Sequence, residues 1–460
     1  MTVKQYDAII IGSGQAGTPL STALAEAGMR TALVERVHVG GTCVNEGCTP
    51  TKTMIASGRV AYLARRAADY GVRTGPVSID LERVRQRKRD IVDSFRNGSQ
   101  GRIQKSPVDL IFGQASFNGP KTVAILAKDG TRQVISAHLV FINAGTRASR
   151  PPVDGMDRVS SLDNVSIMEL DTVPEHLIVL GGGYIGLEFG QVFRRFGSRV
   201  TIVQASDQLL NAEDPDVAHE IANILQQDGI EVLLGARANR IRQRNGVLEL
   251  EIRQGGTRTL AGSHLLAATG RVPNSDTLNL AAAGVDVDPR GFIKVNDRLQ
   301  TTAEGVYALG DIKGGPAFTH ISYDDFRIIR ANVIEKKSAS TRDRVVPYTL
   351  FIDPQLGRVG LTETEARARY RNVRVAKLPM SSVARALEMD ETRGFMKAVV
   401  DADTKQILGA AILGVEGGEV MAAVETAMMG KLPYTALRDG IFAHPTLAEA
   451  FNNLFTGIDN

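Results

Sequence analysis

The chain has 460 residues, of which 43% are hydrophobic and 23% charged, and its formal net charge is +3. That length suits about two to four domains with sizeable cores, and so even a charge balance gives no warrant for nucleic-acid binding. No run of about 18 apolar residues occurs, so no membrane-spanning helix is expected. Residues 1–7 lack an apolar core of signal-peptide length, and the expected location is the cytoplasm.

The first element is an apolar, β-branched run at residues 6–11 (YDAIII), which reads as a buried parallel strand. It leads into Gly12-Ser13-Gly14-Gln15-Ala16-Gly17, a helical pattern to about residue 27, and a second strand at 31–34 ending in Glu35. This is a dinucleotide-binding unit in its proper context. Gly12, Gly14 and Gly17 allow a tight turn and close approach of backbone N–H groups to a pyrophosphate, and Glu35 is placed to hold a ribose diol.

Next comes Gly40-Gly41-Thr42-Cys43-Val44-Asn45-Glu46-Gly47-Cys48-Thr49-Pro50-Thr51-Lys52, which carries the only two cysteines of the chain. Taken alone, the pair fits a structural disulfide, part of a mixed metal site, or a redox-active dithiol. The basic run RVRQRKRD at 83–90 is flanked by acids and reads as a solvated helical face. Residues 106–140 look β-rich and end in the strand-and-turn LVFINAGT, which contains Gly145.

A long-range echo begins at residue 176. A strand at 177–180 precedes Gly181-Gly182-Gly183-Tyr184-Ile185-Gly186, a helix to about 196 and a strand at 200–203. Gln204 follows Gly186 by eighteen residues, as Glu35 follows Gly17. Two such units imply two dinucleotides, most economically a flavin and a nicotinamide, between which hydride can pass. Gln204 neither attracts nor repels a 2′-phosphate, so NADPH and NADH both stay open. A second strand-and-turn, LLAATGRVPN, places Gly270 and Arg271 where the chain crosses between domains. VYALGD then sets Gly310 and Asp311 at the end of a buried strand. Asp311 reads either as a helix cap or as a ligand to a flavin ribityl hydroxyl.

Past about residue 345, strands at 345–352, 395–400 and 407–413 mix with helices at 363–368 and 419–429, a pattern for an α+β domain with an antiparallel sheet. The tail carries FAHPTLAE, in which Glu449 can reach back from one turn into a helix to His444.

GGTCVNEGCTPTK, GGGYIGLE, ATGRVPN, VYALGD and HPTLAE, in that order, resemble the class I flavoprotein disulfide reductases, which include glutathione reductase, dihydrolipoamide dehydrogenase and mercuric reductase. The segments FTHISYDDF at 318–326 and ARALEMDETRG at 384–394 are most similar to the branch of mercuric reductase and the reactive-chlorine-resistance copper(II) reductase. The resemblance implies an α/β fold: two Rossmann-like dinucleotide-binding domains and a C-terminal α+β dimerisation domain. The expected boundaries are FAD binding at 1–148 and 271–340, NAD(P)H binding at 149–270 and dimerisation at 341–460.

The resemblance also implies roles. Cys48 lies against the flavin and Cys43 is the exposed thiol that meets the acceptor. Lys52 sits near the flavin and pairs with Glu188, and Tyr184 covers the nicotinamide pocket. His444, held by Glu449, is the acid and base for Cys43 and comes from the other subunit of a homodimer. Gly41 and Thr42 join the cofactor-binding set, with FAD and either NADPH or NADH as cofactors. No resident metal site is expected. The implied activity passes hydride from NAD(P)H through FAD to a Cys43–Cys48 disulfide and on to a metal ion or reactive oxidant. The alternatives are a reductase of a small disulfide or lipoamide, and a flavin-bound redox sensor with little turnover.

Two departures bear on the acceptor. The sequence ends FTGIDN without the C-terminal cysteine pair of mercuric reductases and starts without their metal-capture domain, which argues against mercury detoxification. Glu46 stands inside the cysteine loop, where relatives carry an apolar residue. It is expected either to raise the thiol pKa values by like-charge repulsion or to help hold a cation.

Overall fold

The computed structural model describes residues 3–459; Met1, Thr2 and Asn460, at the ends of the first and last expected domains, lie outside the described residues. The chain forms two compact units, one from residues 1–54, 82–149 and 270–344, the other from 55–81, 150–269 and 345–460.

The first unit is built on a seven-stranded sheet. Strands Asp109–Phe112, Thr31–Glu35, Lys4–Ile11 and Arg132–Ile142 run parallel in that order, and Val306–Ala308 adds to Arg132–Ile142, also in parallel. The continuous apolar run at Ala8–Ile11 is explained by burial on both faces: Ile9 and Ile10 have no exposed surface. The eleven-residue strand Arg132–Ile142 also pairs antiparallel with Thr122–Leu126, which pairs with Gln114–Gly119, completing the β-rich stretch. Helix Gly17–Glu26 makes the crossover between the first two strands of the chain and buries Leu20 and Leu24. The basic run lies on helix Leu81–Gln104 and is largely exposed, but Lys88 is buried at 4% exposure, so the face is not wholly solvated as expected.

The second unit repeats the dinucleotide-binding pattern. Parallel strands Glu231–Leu233, Arg199–Val203, His176–Leu180 and His264–Ala267 form one sheet, with helix Tyr184–Phe196 following the glycines. A separate three-stranded antiparallel sheet, Arg237–Arg244, Val247–Arg253 and Thr257–Gly262, packs on it through a shared core that includes Ile178, Leu180, Leu250 and Ile252. The C-terminal part is a five-stranded antiparallel sheet in the order Pro347–Leu350, Gln355–Gly360, Ile407–Gly414, Phe395–Asp401, Val373–Pro379. Helices Gly417–Met429 and Ala450–Thr456 help to cover it, and Phe451 and Phe455 are fully buried.

Within the first unit, one side chain ties three distant segments together. Asn143 accepts from the Gly17 N–H at 2.9 Å and donates to the Leu309 carbonyl at 2.9 Å, at 7% exposure. Replacing it strands two buried backbone groups, each costing about 1–3 kcal/mol. Asn143→Ala is therefore expected to lower stability by about 2–4 kcal/mol, measured by chemical denaturation; a change below about 0.5 kcal/mol would remove the clamp from the account.

Candidate functional site

The fingerprint glycines of the first unit are required by space. A Cβ on Gly17 would stand 2.0 Å from the Gly12 carbonyl oxygen, and one on Gly41 would stand 2.6 Å from the Gly14 Cα. Gly12 and Gly41 also have positive φ values of 98° and 62°. Around Gly145 the space is open, and a Cβ there would meet no atom within 4 Å. Glu35 closes the loop: its carboxylate accepts from the Ser13 N–H at 3.0 Å, the Ser13 hydroxyl at 2.5 Å and the Val37 N–H at 2.8 Å.

Asp311 lies in the short helical turn Gly310–Lys313 and accepts from the Thr146 hydroxyl at 3.2 Å. Arg271 donates to the hydroxyl and the carbonyl of the same Thr146, and Ser149 N–H donates to the Gly270 carbonyl. Strands Thr146–Ala148 and Arg271–Pro273 thereby pair antiparallel. The left-handed φ of 69° at Gly310 frees its N–H to reach Asp325 at 2.8 Å. Asp325 is completely buried and meets Lys313 and Arg344 as well. It escaped the sequence reading, although its charge inside an otherwise helical apolar pattern was a usable signal.

Cys43 lies in the short helix Gly41–Asn45, and Cys48 is the first residue of the eighteen-residue helix Cys48–Arg65. Both are free thiols, Cys43 partly buried and Cys48 exposed. The Cys43 thiol is pushed up, first by its hydrogen bond with Cys48 and then by burial, while Thr319 and Lys52 act in the opposite direction. A helix N-terminus favours a thiolate, and Cys48 occupies one. Glu46 is exposed at the end of the short helix, and the largest influences on Cys43 come from the groups just named. Thr319, whose Oγ1 is 3.4 Å from the Cys48 sulfur, starts helix Thr319–Ile329. Its segment was visible in the sequence, but its hydroxyl's role was not.

In the second unit, Gly181 has φ of 107°, and a Cβ on Gly186 would stand 2.1 Å from the Gly181 carbonyl oxygen, whereas Gly183 has open space around it. Gln204 Oε1 accepts from the Gly182 N–H at 3.0 Å, the bond that Glu35 makes at the equivalent Ser13. The amide does the carboxylate's structural work without its charge. Tyr184 starts its helix, half-buried, edge-on to Tyr348 with ring centroids 5.5 Å apart. Burial, then Glu213, push its hydroxyl up to about 12. Glu188 is buried and accepts from the Phe351 N–H at 2.9 Å. His444 is exposed, and its Nδ1 stands 2.8 Å from Glu449, which precedes helix Ala450–Thr456.

Residues 6–325 match the model of the pyridine nucleotide-disulphide oxidoreductases, and 346–455 match the dimerisation domain of the same group. The chain belongs to the pyridine nucleotide-disulphide oxidoreductase family. It is similar to the probable pyridine nucleotide-disulfide oxidoreductase RclA of Escherichia coli (strain K12), at 39% identity over 99% of both chains. It is also similar to a mercuric reductase of Bacillus cereus, at 35% identity over 96% of this chain and 70% of that one. Among solved structures it matches the Cu(II) complex of the HOCl-induced flavoprotein disulfide reductase RclA from Escherichia coli, with a TM-score of 0.90, 38% identity and 99% coverage of each chain. As a member of this family the protein is an NAD(P)H-dependent oxidoreductase that uses FAD, and the two glycine cradles described above fit two dinucleotides.

Because the Thr319 hydroxyl lowers the Cys43 pKa, Thr319→Val is expected to raise it. At a fixed pH, alkylation of Cys43 in the reduced protein, read site by site by mass spectrometry, should then slow; an unchanged or faster rate at Cys43 contradicts this role.

Proposed function

We propose that the protein passes reducing equivalents from NAD(P)H through FAD to a Cys43–Cys48 disulfide and from there to a metal ion or a reactive oxidant. The observation that carries this reading is the dithiol at the start of helix Cys48–Arg65, in a chain similar over its full length to RclA, whose solved structure holds Cu(II). Bound FAD supplies the chemistry of accepting hydride and releasing an electron pair. Each turnover at the sulfurs then re-forms the disulfide: two electrons and two protons leave the thiols, the electrons going to two one-electron metal ions or to one two-electron oxidant.

We assign residues 1–148 and 271–340 to FAD, 149–270 to NAD(P)H and 341–460 to dimerisation. In this reading Gly12, Gly14, Gly17, Glu35, Gly41, Thr42, Gly145, Gly310 and Asp311 serve the flavin, and Gly181, Gly183, Gly186, Gln204, Gly270 and Arg271 serve the nicotinamide nucleotide or the crossing strands. Lys52 and Glu188 form the pair beside the flavin, and Tyr184 covers the nicotinamide pocket. Gln204 leaves a 2′-phosphate unopposed, so NADPH is accepted. The protein acts as a homodimer, with His444 supplied across it. In support, Met429, Leu432 and Ile441 are exposed within the region matched as the dimerisation domain, and exposed apolar side chains of this kind favour association. Among the described residues no helix is long and apolar enough to cross a membrane, and we place the protein in the cytoplasm.

A second reading, reduction of a small disulfide or lipoamide, is favoured by the His444–Glu449 hydrogen bond. It is the arrangement that protonates a departing thiolate, and the chain is 32% identical to a dihydrolipoyl dehydrogenase of Thermus scotoductus. Steady-state NAD(P)H oxidation against Cu(II), Hg(II), hypochlorite, lipoamide and glutathione disulfide separates the two. We expect Cu(II) or hypochlorite to lead, and Cys43→Ser to abolish that turnover; full turnover in Cys43→Ser would overturn the dithiol route. Glu449→Gln is expected to lower disulfide reduction by about 100-fold or more and to affect metal reduction less.

A further inference from the structure

The second unit contains a buried charge pair for which the reaction above has no use. Arg358 and Glu213 are 2% and 1% exposed at their side chains, and Arg358 Nε stands 3.9 Å from Glu213 Oε2. Among the described residues, neither oxygen of Glu213 and neither terminal nitrogen of Arg358 has a hydrogen-bond partner. Buried charges are ordinarily hydrogen-bonded as well as paired. The neighbours make the gap more telling, because they are satisfied. Asp214, also 3.9 Å from Arg358, accepts from the N–H groups of Glu363 and Thr364, the Thr364 hydroxyl and Lys397. Lys397 is further held by Asp216 and Glu363.

Both arms of the pair lead to the corner at Gly182–Tyr184. On one side, Glu213 donates its N–H to the Leu210 carbonyl, and Leu210 donates its own to the Gly182 carbonyl at 3.0 Å. On the other, Arg358 lies opposite Tyr348 in the antiparallel ladder, so their side chains share a face, and Tyr348 packs edge-on against Tyr184. The Tyr184 hydroxyl feels Glu213 and Arg358 with opposite sign.

We propose that Glu213 and Arg358 form a proton-switched pair that positions Tyr184 and sets the charge beneath the nicotinamide pocket. This rests on the reading of Tyr184 as the cover of that pocket. With Glu213 ionised, the pair is neutral. With Glu213 protonated, Asp214 alone faces Arg358 at 3.9 Å, and the site, one negative charge poorer, holds the cationic ring of the oxidised cofactor less well. Glu213 and Arg358 are thus positioning residues, and acid pH favours loss of the oxidised cofactor. The groups acting on Glu213 agree: burial raises it first, Asp214 and Glu365 raise it further, and Arg358 and Lys397 oppose, leaving it at about 7. Lys377 is engaged elsewhere, with Asp216.

The test is binding of NADP⁺ and NAD⁺ to the oxidised holoenzyme by calorimetry across about pH 6 to 8. The dissociation constant of the wild type should rise on the order of tenfold toward acid, by the loss of one compensating charge. In Glu213→Gln it should stay at the acid value throughout. A Glu213→Gln profile that follows the wild type overturns the proposal. The same group sets the sign of a stability change. A carboxyl held above its unfolded value stabilises the fold below the unfolded pKa and loses that contribution as pH rises through about 7. Unfolding of the wild type should therefore become easier across that range relative to Glu213→Gln. Should Glu213→Gln fail to fold, Arg358→Lys carries the test: its binding inflection must move, and an unmoved one overturns the pair. A flavin reduced by neither NADH nor NADPH at any pH would instead refute the proposed function, which these outcomes leave distinguishable.

Discussion

The Asn143 amide is the point on which the first unit turns. It joins the start of helix Gly17–Glu26 to the end of strand Val306–Ala308 through one acceptor and one donor, both buried. The loop it holds is packed so tightly that Gly12, Gly17 and Gly41 have no room for a Cβ without backbone collision. Next to that clamp, Asp325 pins Gly310 and is itself ion-paired to Lys313 and Arg344. Polar side chains, not the apolar core, thus fix the loops relative to the strand ends. Such loops are where a dinucleotide is received, and Asp311 and the glycine fingerprint are held in a common frame.

The two dinucleotide units show how one structural task tolerates a change of charge. Glu35 and Gln204 make the same bond to the second residue of their glycine loops. An amide oxygen accepts as a carboxylate does, so loop geometry survives while the electrostatic selection against a 2′-phosphate is lost. The charge absent from Gln204 contrasts with the cluster around Arg358 and Lys397, which Glu213, Asp214, Asp216 and Glu363 face. The second unit therefore joins residues 213–216 to the C-terminal sheet through buried charge, near the helix that starts at Tyr184.

Much of this was legible beforehand, and the reasons are physical. Period-free apolar runs before a glycine turn mark doubly buried parallel strands, so the strands at Lys4–Ile11 and His176–Leu180 could be read directly. Strand Gln355–Gly360 could not: its two glycines and a buried arginine disguise it, although it lies inside the C-terminal sheet. Val373–Pro379 ends in proline and alternates weakly, as an edge strand can. The antiparallel sheet over residues 237–262 is arginine- and glutamate-rich and half exposed, so its hydrophobic signal is thin. In the site, short motifs named the thiols and His444, because their chemistry depends on residue type at fixed spacing. Thr319, Asp325 and Glu213 act through contacts made only by folding, and no spacing announces them.

Everything functional converges on whether electrons from the nicotinamide reach the sulfurs at the start of helix Cys48–Arg65. The most direct measurement is differential alkylation read by mass spectrometry, with and without anaerobic NADPH or NADH, on the oxidised holoenzyme. The account predicts that Cys43 and Cys48 resist alkylation beforehand and that both become labelled after reduction. Two thiols that are labelled equally in both samples would contradict it.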